Sequence, residues 1–426
     1  MNIYKNNKIQ EFLQRFESRR QEVSTDVEHS VRHILQNVRE NGDQAVMDYT
    51  KKFDGVDLSA LTVRQEELQQ AHENIDPELL DVLRQARQNI QKYHEKSLPQ
   101  SWMSWEDDNV ILGQRVTPIQ HVGIYVPGGL AAYPSSLLMG VVPAQVAGVK
   151  DIYVTTPCAK DGSMNQTILA GAFELGVTQV YRMGGAQAIA AMAFGTETVG
   201  RVDKIVGPGN IYVATAKKLL YGQCGIDMVA GPSEVLIIAD DSATPEFIAA
   251  DLLAQAEHDP LASSILVTDS KKLAKSVADE VEIQMDALPR SDIMQQAVRD
   301  YGGIIVTGSL TLCAELSNRL APEHLGLHVD DPWTLLGQIK NAGAIFLGHY
   351  SPEAVGDYWA GPNHVLPTNG SARFFSPLRT EDFLKVSSIV SYTQAALDKQ
   401  GKNIEKFAKN EGLDAHATAI TKRMSS

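Results

Sequence analysis

Between residues 123 and 210 the chain reads GIYVP (123–127), DIYVTTP (151–157), QVYRMGG (179–185) and DKIVGPGN (203–210), with the apolar stretches SSLLMGVVPAQVAGV, NQTILAGAFELG and AQAIAAMAFG between them. The four short runs are rich in Ile, Val and Tyr and end in Gly or Pro, which is the composition of buried strands. The intervening stretches are long enough for helices. Strands alternating with helices imply βαβ units and a parallel sheet.

The same texture returns beyond residue 230. VLIIAD (235–240), SSILVTD (263–269), GGIIVTG (302–308), HLGLHV (324–329) and AIFLG (344–348) alternate with helical patterns over 245–258, near 271–284 and near 311–320. The expected fold class is α/β, with two Rossmann-like α/β domains. No sequence repeat relates the two blocks. Residues 1–20 form a polar amphipathic arm. Residues 26–97 are helical, with Val31, Ile34, Leu35 and Val38 at helical spacing and Ser24 and Thr25 as caps. The break near GPSEVL (231–236) makes 125–234 an inserted α/β domain, while 21–124 returns to join 235–376. Residues 377–426 hold too little apolar material for a core. Phe407, Leu413, Ala417 and Ile420 line one side of a helix there, so this helical tail must dock on its own body or on a partner subunit.

The chain has 426 residues and a formal net charge of -14, which disfavours nucleic acid as the partner. Cys158, Cys224 and Cys313 are scattered thiols without a CxxC, as in a reducing cytoplasm. The N-terminus lacks the apolar core of a signal peptide, and no stretch has the apolar length of a membrane span. A cytoplasmic soluble enzyme is expected.

Three segments carry chemistry. In DLLAQAEHD (251–259), Gln255 and His258 lie one helical turn apart, so an amide oxygen and an imidazole can converge on one ion. The alternative is a polar helix face. Glu257 lies about 100° from His258 around the helix, and spacing alone does not choose between it and Gln255. APEHL (321–325) sets Glu323 beside His324 at a helix-to-strand corner, either as an acid and a base for different proton transfers or as an exposed helix end with His near the negative end of the dipole. GDYWAGPNHVLPT (356–368) sets Asp357 seven residues from His364, either as a site walled by Tyr358 and Trp359 or as an Asx-capped turn. His29 and His33 in HSVRH lack the central Glu of a metalloprotease helix and read as structural. The turns PGG (127–129), MGGAQA (183–188) and GPGN (207–210) each follow a strand and precede a helix, either as a phosphate or dinucleotide site or as turns that use Gly for steric reasons alone.

In combination, GIYVPGG, GGAQAIAA, VGPGN, GIDMVAGPSEVL, LLAQAEHDP, APEHL, GDYWAGPNHVLPT and EGLDAH resemble the histidinol dehydrogenase family in this order over about 25–420. The resemblance implies oxidation of L-histidinol to L-histidine with two NAD+ and one Zn2+. It implies Gln255, His258, Asp357 and His416 as zinc ligands that also touch substrate, and Glu323 and His324 as the acid–base pair. Ser233, His324, His364 and Glu411 would contact substrate, and Tyr125, Gln187 and Asn210 would contact NAD+. It further implies a domain-swapped homodimer in which Glu411 and His416 on the C-terminal tail serve the partner's site. Gly326 departs from the acidic residue common after APEHL. Two other readings are weighed against this one: a same-fold dehydrogenase for another small polar alcohol, such as a sulfonated diol, and a zinc hydrolase with Glu323 as base.

Overall fold

The structure, a computed structural model, describes residues 1–18, 25–128 and 133–425. Within them the strands are β1 Ile3–Tyr4, β2 Trp102–Trp105, β3 Ile111–Pro118, β4 His121–Tyr125, β5 Asp151–Thr156, β6 Gln179–Arg182, β7 Lys204–Val206, β8 Gly225–Ile226, β9 Glu234–Ala239, β10 Ser263–Thr268, β11 Gly303–Val306, β12 His324–His328, β13 Ala344–Leu347 and β14 Leu384–Ser391. They form a five-stranded sheet in the order β6-β5-β4-β7-β8 and a six-stranded sheet in the order β1-β11-β10-β9-β12-β13. Every pairing in these two sheets is parallel. A parallel sheet is covered on both faces, so its central strands are apolar without alternation. β9 and β10 are accordingly buried at every position.

Three expectations need correction. The helices in 25–95 pack chiefly on the first block, and helix Pro77–Glu95 also reaches the second, where Asn89 donates to the Trp359 carbonyl at 2.9 Å. Val31, Ile34, Leu35 and Val38 of helix Thr25–Asp54 pack with Ala186–Ala193 of helix Gly185–Phe194. Leu68, Leu83, Ala86 and Ile90 pack with Leu137, Val141 and Ile168. The cause lies in the inner helices. Gly185–Phe194 and Pro134–Ala147 are apolar nearly all round, so one side meets the sheet and the other needs a second layer.

The N-terminal arm is part of the six-stranded block. β1 pairs with β11, and Phe12, Leu13 and Phe16 of helix Asn7–Ser18 are at most 3% exposed against Leu236, Ile265 and Ile305. Burying each such side chain contributes about 2 kcal/mol, enough to fix a twelve-residue helix that would be marginal alone.

The tail is not coreless along its length. Leu378 and Phe383 are fully buried in the core of the five-stranded block. β14 then pairs antiparallel with β3, which pairs with β2, in a third sheet. Helices Gln394–Asn410 and Asp414–Thr421 follow and pack on each other. Among the described residues no helix is long and apolar enough to cross a membrane.

Candidate functional site

β9 and β12 run side by side with His324 opposite Val235, so Ser233, Glu234, Glu323 and His324 gather at the amino end of the six-stranded sheet. Helix Pro245–Ala256 follows β9 and runs back, which returns its C-terminal end to that same edge. The helix stops two residues before His258. The His258 N–H still donates to the Gln255 carbonyl at 3.3 Å, so the turn continues far enough to keep the two residues adjacent. After β13 the chain makes a short helix, Glu353–Val355, and a π-helical turn, Gly356–Ala360, that carries Asp357. Such single π turns recur at functional sites.

The five-stranded sheet approaches from the other side. Ser136, in the first turn of the helix after β4, places its Oγ 3.3 Å from His364 Nε2. Asn363 donates to the Met139 carbonyl at 2.7 Å. The site therefore lies between the amino end of one sheet and the carboxyl end of the other.

His324 is its centre. Nδ1 lies 3.2 Å from the Glu234 carbonyl, 3.8 Å from Glu323 Oε2 and 3.9 Å from Glu353 Oε2, while Nε2 lies 3.7 Å from Asp357 Oδ1. A proton on Nδ1 donates to the Glu234 carbonyl, which leaves Nε2 of the neutral ring as the accepting atom; this tautomer follows from the network. Glu323 is held by the Glu234 N–H, which donates to Oε2 at 2.8 Å. His258, Glu353 and Asp357 each offer a ligand atom, all within 4.8 Å of one another. Both amide atoms of Gln255, His324 Nε2 and Glu353 Oε2 are buried without a hydrogen-bond partner. A buried polar atom left unpaired costs about 1–3 kcal/mol, so this concentration at one place marks a ligand site.

Electrostatics separate the groups. Burial pushes the Glu323 carboxyl up to about 8 and Glu353 up to about 7. Burial alone would lower His324, but Glu353, Glu323 and Asp357 outweigh it and hold the imidazolium, with a pKa of about 10. Asp357 is also penalised by burial, yet His324 keeps its carboxyl below the usual range. Burial lowers His258 and His364. The protein's own carboxylates thus hold His324 protonated; positive charge bound beside them offsets them and frees Nε2 to accept a proton, next to a carboxyl that titrates near neutrality.

The structure thus brings Gln255, His258, Glu323, His324, Asp357 and His364 into one region, with Ser233 at the start of β9. It does not bring Glu411 or His416 there within one chain; both are exposed, and neither belongs to the metal-competent group. Glu353 was missed by the sequence reading. Its signal was available: it stands four residues before Asp357, on the same side of a helical turn.

At the carboxyl end of the five-stranded sheet the three Gly turns converge. The Tyr125 hydroxyl accepts from the Gly185 N–H at 3.1 Å, and Gly207, with φ of 117°, abuts the Tyr125 carbonyl. Gly128 and Gly184 both back onto Pro157; Gly129 of the first turn lies outside the described residues. Tyr125 is 4% exposed and Gln187 2% exposed. Asn210 caps helix Ile211–Leu220 through the Tyr212 and Val213 N–H groups. His33 Nδ1 lies 3.1 Å from the Tyr49 hydroxyl, in keeping with a structural role. Cys224 is buried, and burial pushes its thiol up to about 11.

The sequence profile of histidinol dehydrogenases matches residues 17–424. The chain belongs to the histidinol dehydrogenase family. It is an oxidoreductase. A histidinol dehydrogenase of Geobacillus kaustophilus (strain HTA426) is 55% identical over 93% of both chains, and one of Bacillus subtilis (strain 168) is 55% identical over 92% of both. The crystal structure of histidinol dehydrogenase from Elizabethkingia anophelis superposes with a TM-score of 0.94 at 39% identity, covering 99% of this chain and 98% of that one. The α/β architecture with parallel sheets is therefore that of the histidinol dehydrogenase family.

Proposed function

We propose that this chain oxidises L-histidinol through L-histidinaldehyde to L-histidine, using two NAD+ and one zinc ion. The observation that carries the reading is the set of unpaired polar atoms on Gln255, Glu353 and His324 around the His258–Glu353–Asp357 group. These donors fit zinc, which takes imidazole nitrogen and carboxylate oxygen, and the amide oxygen of Gln255 completes an N/O set. Gln255, His258 and Asp357 would hold the ion, with His416 of a second copy as the fourth ligand. Bound zinc would supply positive charge that attracts the substrate and offsets the carboxylates around His324.

The remaining chemistry belongs to side chains. In the first oxidation His324 Nε2, neutral once the metal charge offsets its carboxylates, would take the hydroxyl proton as the hydride leaves the carbinol carbon; NAD+ would supply the oxidising power. The aldehyde stays enclosed, and Glu323 in its ionised form draws a proton from water as the hydrate forms. His324 acts again in the second oxidation, with a second NAD+ as hydride acceptor. Ser233, His364 and the partner's copy of the exposed Glu411 orient substrate. Tyr125, Gln187 and Asn210 line the dinucleotide side.

Tail exchange in a homodimer is part of the same reading. It is supported by Glu411 and His416 being exposed, and by apolar surface bare in one chain: Phe407 at 68% and Trp105 at 71%, with Val386, Val390 and Leu413 also exposed. The free thiols accord with a cytoplasmic setting. Purified protein given NAD+ and a panel of alcohols should form NADH with L-histidinol and not with a sulfonated diol. Turnover of the diol alone, or metal-dependent hydrolysis without NAD+, would overturn the proposal.

A further inference from the structure

Among the described residues, a buried Lys–Asp ion pair lies outside the acid–base and metal cluster. Lys217, on helix Ile211–Leu220, meets Asp227, which follows β8, and their side chains are 2% and 1% exposed. Both also bind the same peptide unit neighbour, Gly207. The Gly207 N–H donates to Asp227 Oδ2 at 2.8 Å, and Lys217 Nζ donates to the Gly207 carbonyl at 2.9 Å. Asp227 Oδ1 accepts from the Met228 N–H at 2.6 Å. Gly207 itself sits in a conformation that only glycine takes readily, and a Cβ there would run into the Tyr125 carbonyl. The first glycine of the GPGN turn is thus held on both sides by one pair of opposite charges.

A buried ion pair is weak evidence for stability, because desolvation consumes most of the attraction. Its directional bonds are a better account of its place here. We infer that Lys217 and Asp227 are positioning residues that set the GPGN turn, and through it Asn210 and the Tyr125 backbone, for the nicotinamide dinucleotide. Asp227 also begins the connection from β8 to β9, where the Glu234 N–H holds Glu323, so the same pair ties the dinucleotide turn to the strand carrying the acid–base support. This rests on the reading of the three Gly turns as the dinucleotide side.

A single substitution strands a buried charge, so the test uses the double variant Lys217→Met/Asp227→Leu, which removes both charges at similar volume. NAD+ affinity is measured by calorimetry on the full chain, and KM for each substrate and the melting temperature are measured alongside. The wild type should bind NAD+, and the folded variant should bind it about tenfold or more weaker, the usual loss when a supporting partner of a pre-organised site is removed. KM for L-histidinol should stay within about twofold of wild type, a split that a loss of general stability would not produce. A folded variant with unchanged NAD+ affinity overturns the inference. Should that variant fail to fold, Lys217→Met/Asp227→Asn, which also removes both charges and takes the Nζ donor from the Gly207 carbonyl while leaving an amide oxygen for the Gly207 N–H, is read in the same way. Failure of the wild type to bind NAD+ would instead remove the underlying reading.

Discussion

Gly343 immediately precedes β13, and its N–H donates to the Pro322 carbonyl at 2.9 Å while the Ala344 N–H donates to the Glu323 carbonyl at 2.8 Å. A Cβ added at Gly343 would stand 2.5 Å from the Glu323 carbonyl oxygen and 3.2 Å from Pro367 Cδ. The obstacle is backbone, so it cannot rotate aside. Relief to ordinary contact requires about 0.9 Å of movement between the two backbone segments. Glu323 and His324 are consecutive, so that displacement is passed to both. Misplacing catalytic groups by about 1 Å costs on the order of a hundredfold in rate, or about 2.7 kcal/mol of barrier. Overpacking should cost about 1–3 kcal/mol of stability, which leaves a folded protein. Gly343→Ala should therefore lower kcat for L-histidinol oxidation by about a hundredfold while zinc content is kept. Gly337→Ala is the control, since its Cβ would lie 3.4 Å from the Thr334 carbonyl oxygen, an ordinary contact, and its kcat should match wild type. A Gly343→Ala enzyme with wild-type kcat and melting temperature would refute the reasoning.

Glu323→Gln keeps an acceptor for the Glu234 N–H but removes the ionisable group, so the second oxidation should fall by about 10²–10⁴ and the first by less; equal losses in single-turnover assays of the two half-reactions would contradict that role. His258→Asn should lower bound zinc measured by elemental analysis, and unchanged content would remove His258 from the ligand set. His94 is buried, and burial lowers its imidazole to about 4. The unfolded chain then binds the proton first as pH falls below about 6.5, so stability should drop by up to about 3 kcal/mol on the way to pH 4. Its position in the last turn of helix Pro77–Glu95 favours the charged ring by only about 0.3–1 kcal/mol and does not reverse the sign. Denaturant titrations of His94→Gln should show a shallower pH slope in this window, and parallel curves would count against it. Finally, mixed dimers of Glu323→Gln and His416→Asn should regain activity, because an exchanged tail gives one of the two sites a full set of residues; inactivity of verified mixed dimers would deny the exchange.

The two parallel sheets were legible because strands buried on both faces leave uninterrupted apolar runs such as VLIIAD and SSILVTD. The third sheet was not. In β14 Val386 and Val390 are exposed within one chain, and the run LKVSSIVS breaks apolar/polar alternation at Ser387-Ser388 and Ile389-Val390, so no buried face marks the strand. The stripe of Val31, Ile34 and Val38 revealed a packed helix but not its partner, since an apolar stripe carries no address. Gln255/His258, Glu323/His324 and Asp357/His364 were readable as local pairs, because chemistry at short spacing is visible in sequence. Their convergence depends on which end of a sheet each helix returns to, and that is a property of the topology. Glu353 stands four residues before Asp357, but just after Pro352 it also reads as an ordinary acidic start to a helix, and only the fold sets it against His324. Lys217 was hidden because a lysine on a helix reads as solvent-facing until its burial is seen.

The central claim is a four-electron oxidation completed at one site. The direct measurement is the amount of NADH formed per L-histidinol consumed by zinc-loaded protein, with the product identified. Two NADH with L-histidine as product, and no free aldehyde, is the predicted result. One NADH with the aldehyde released would contradict it.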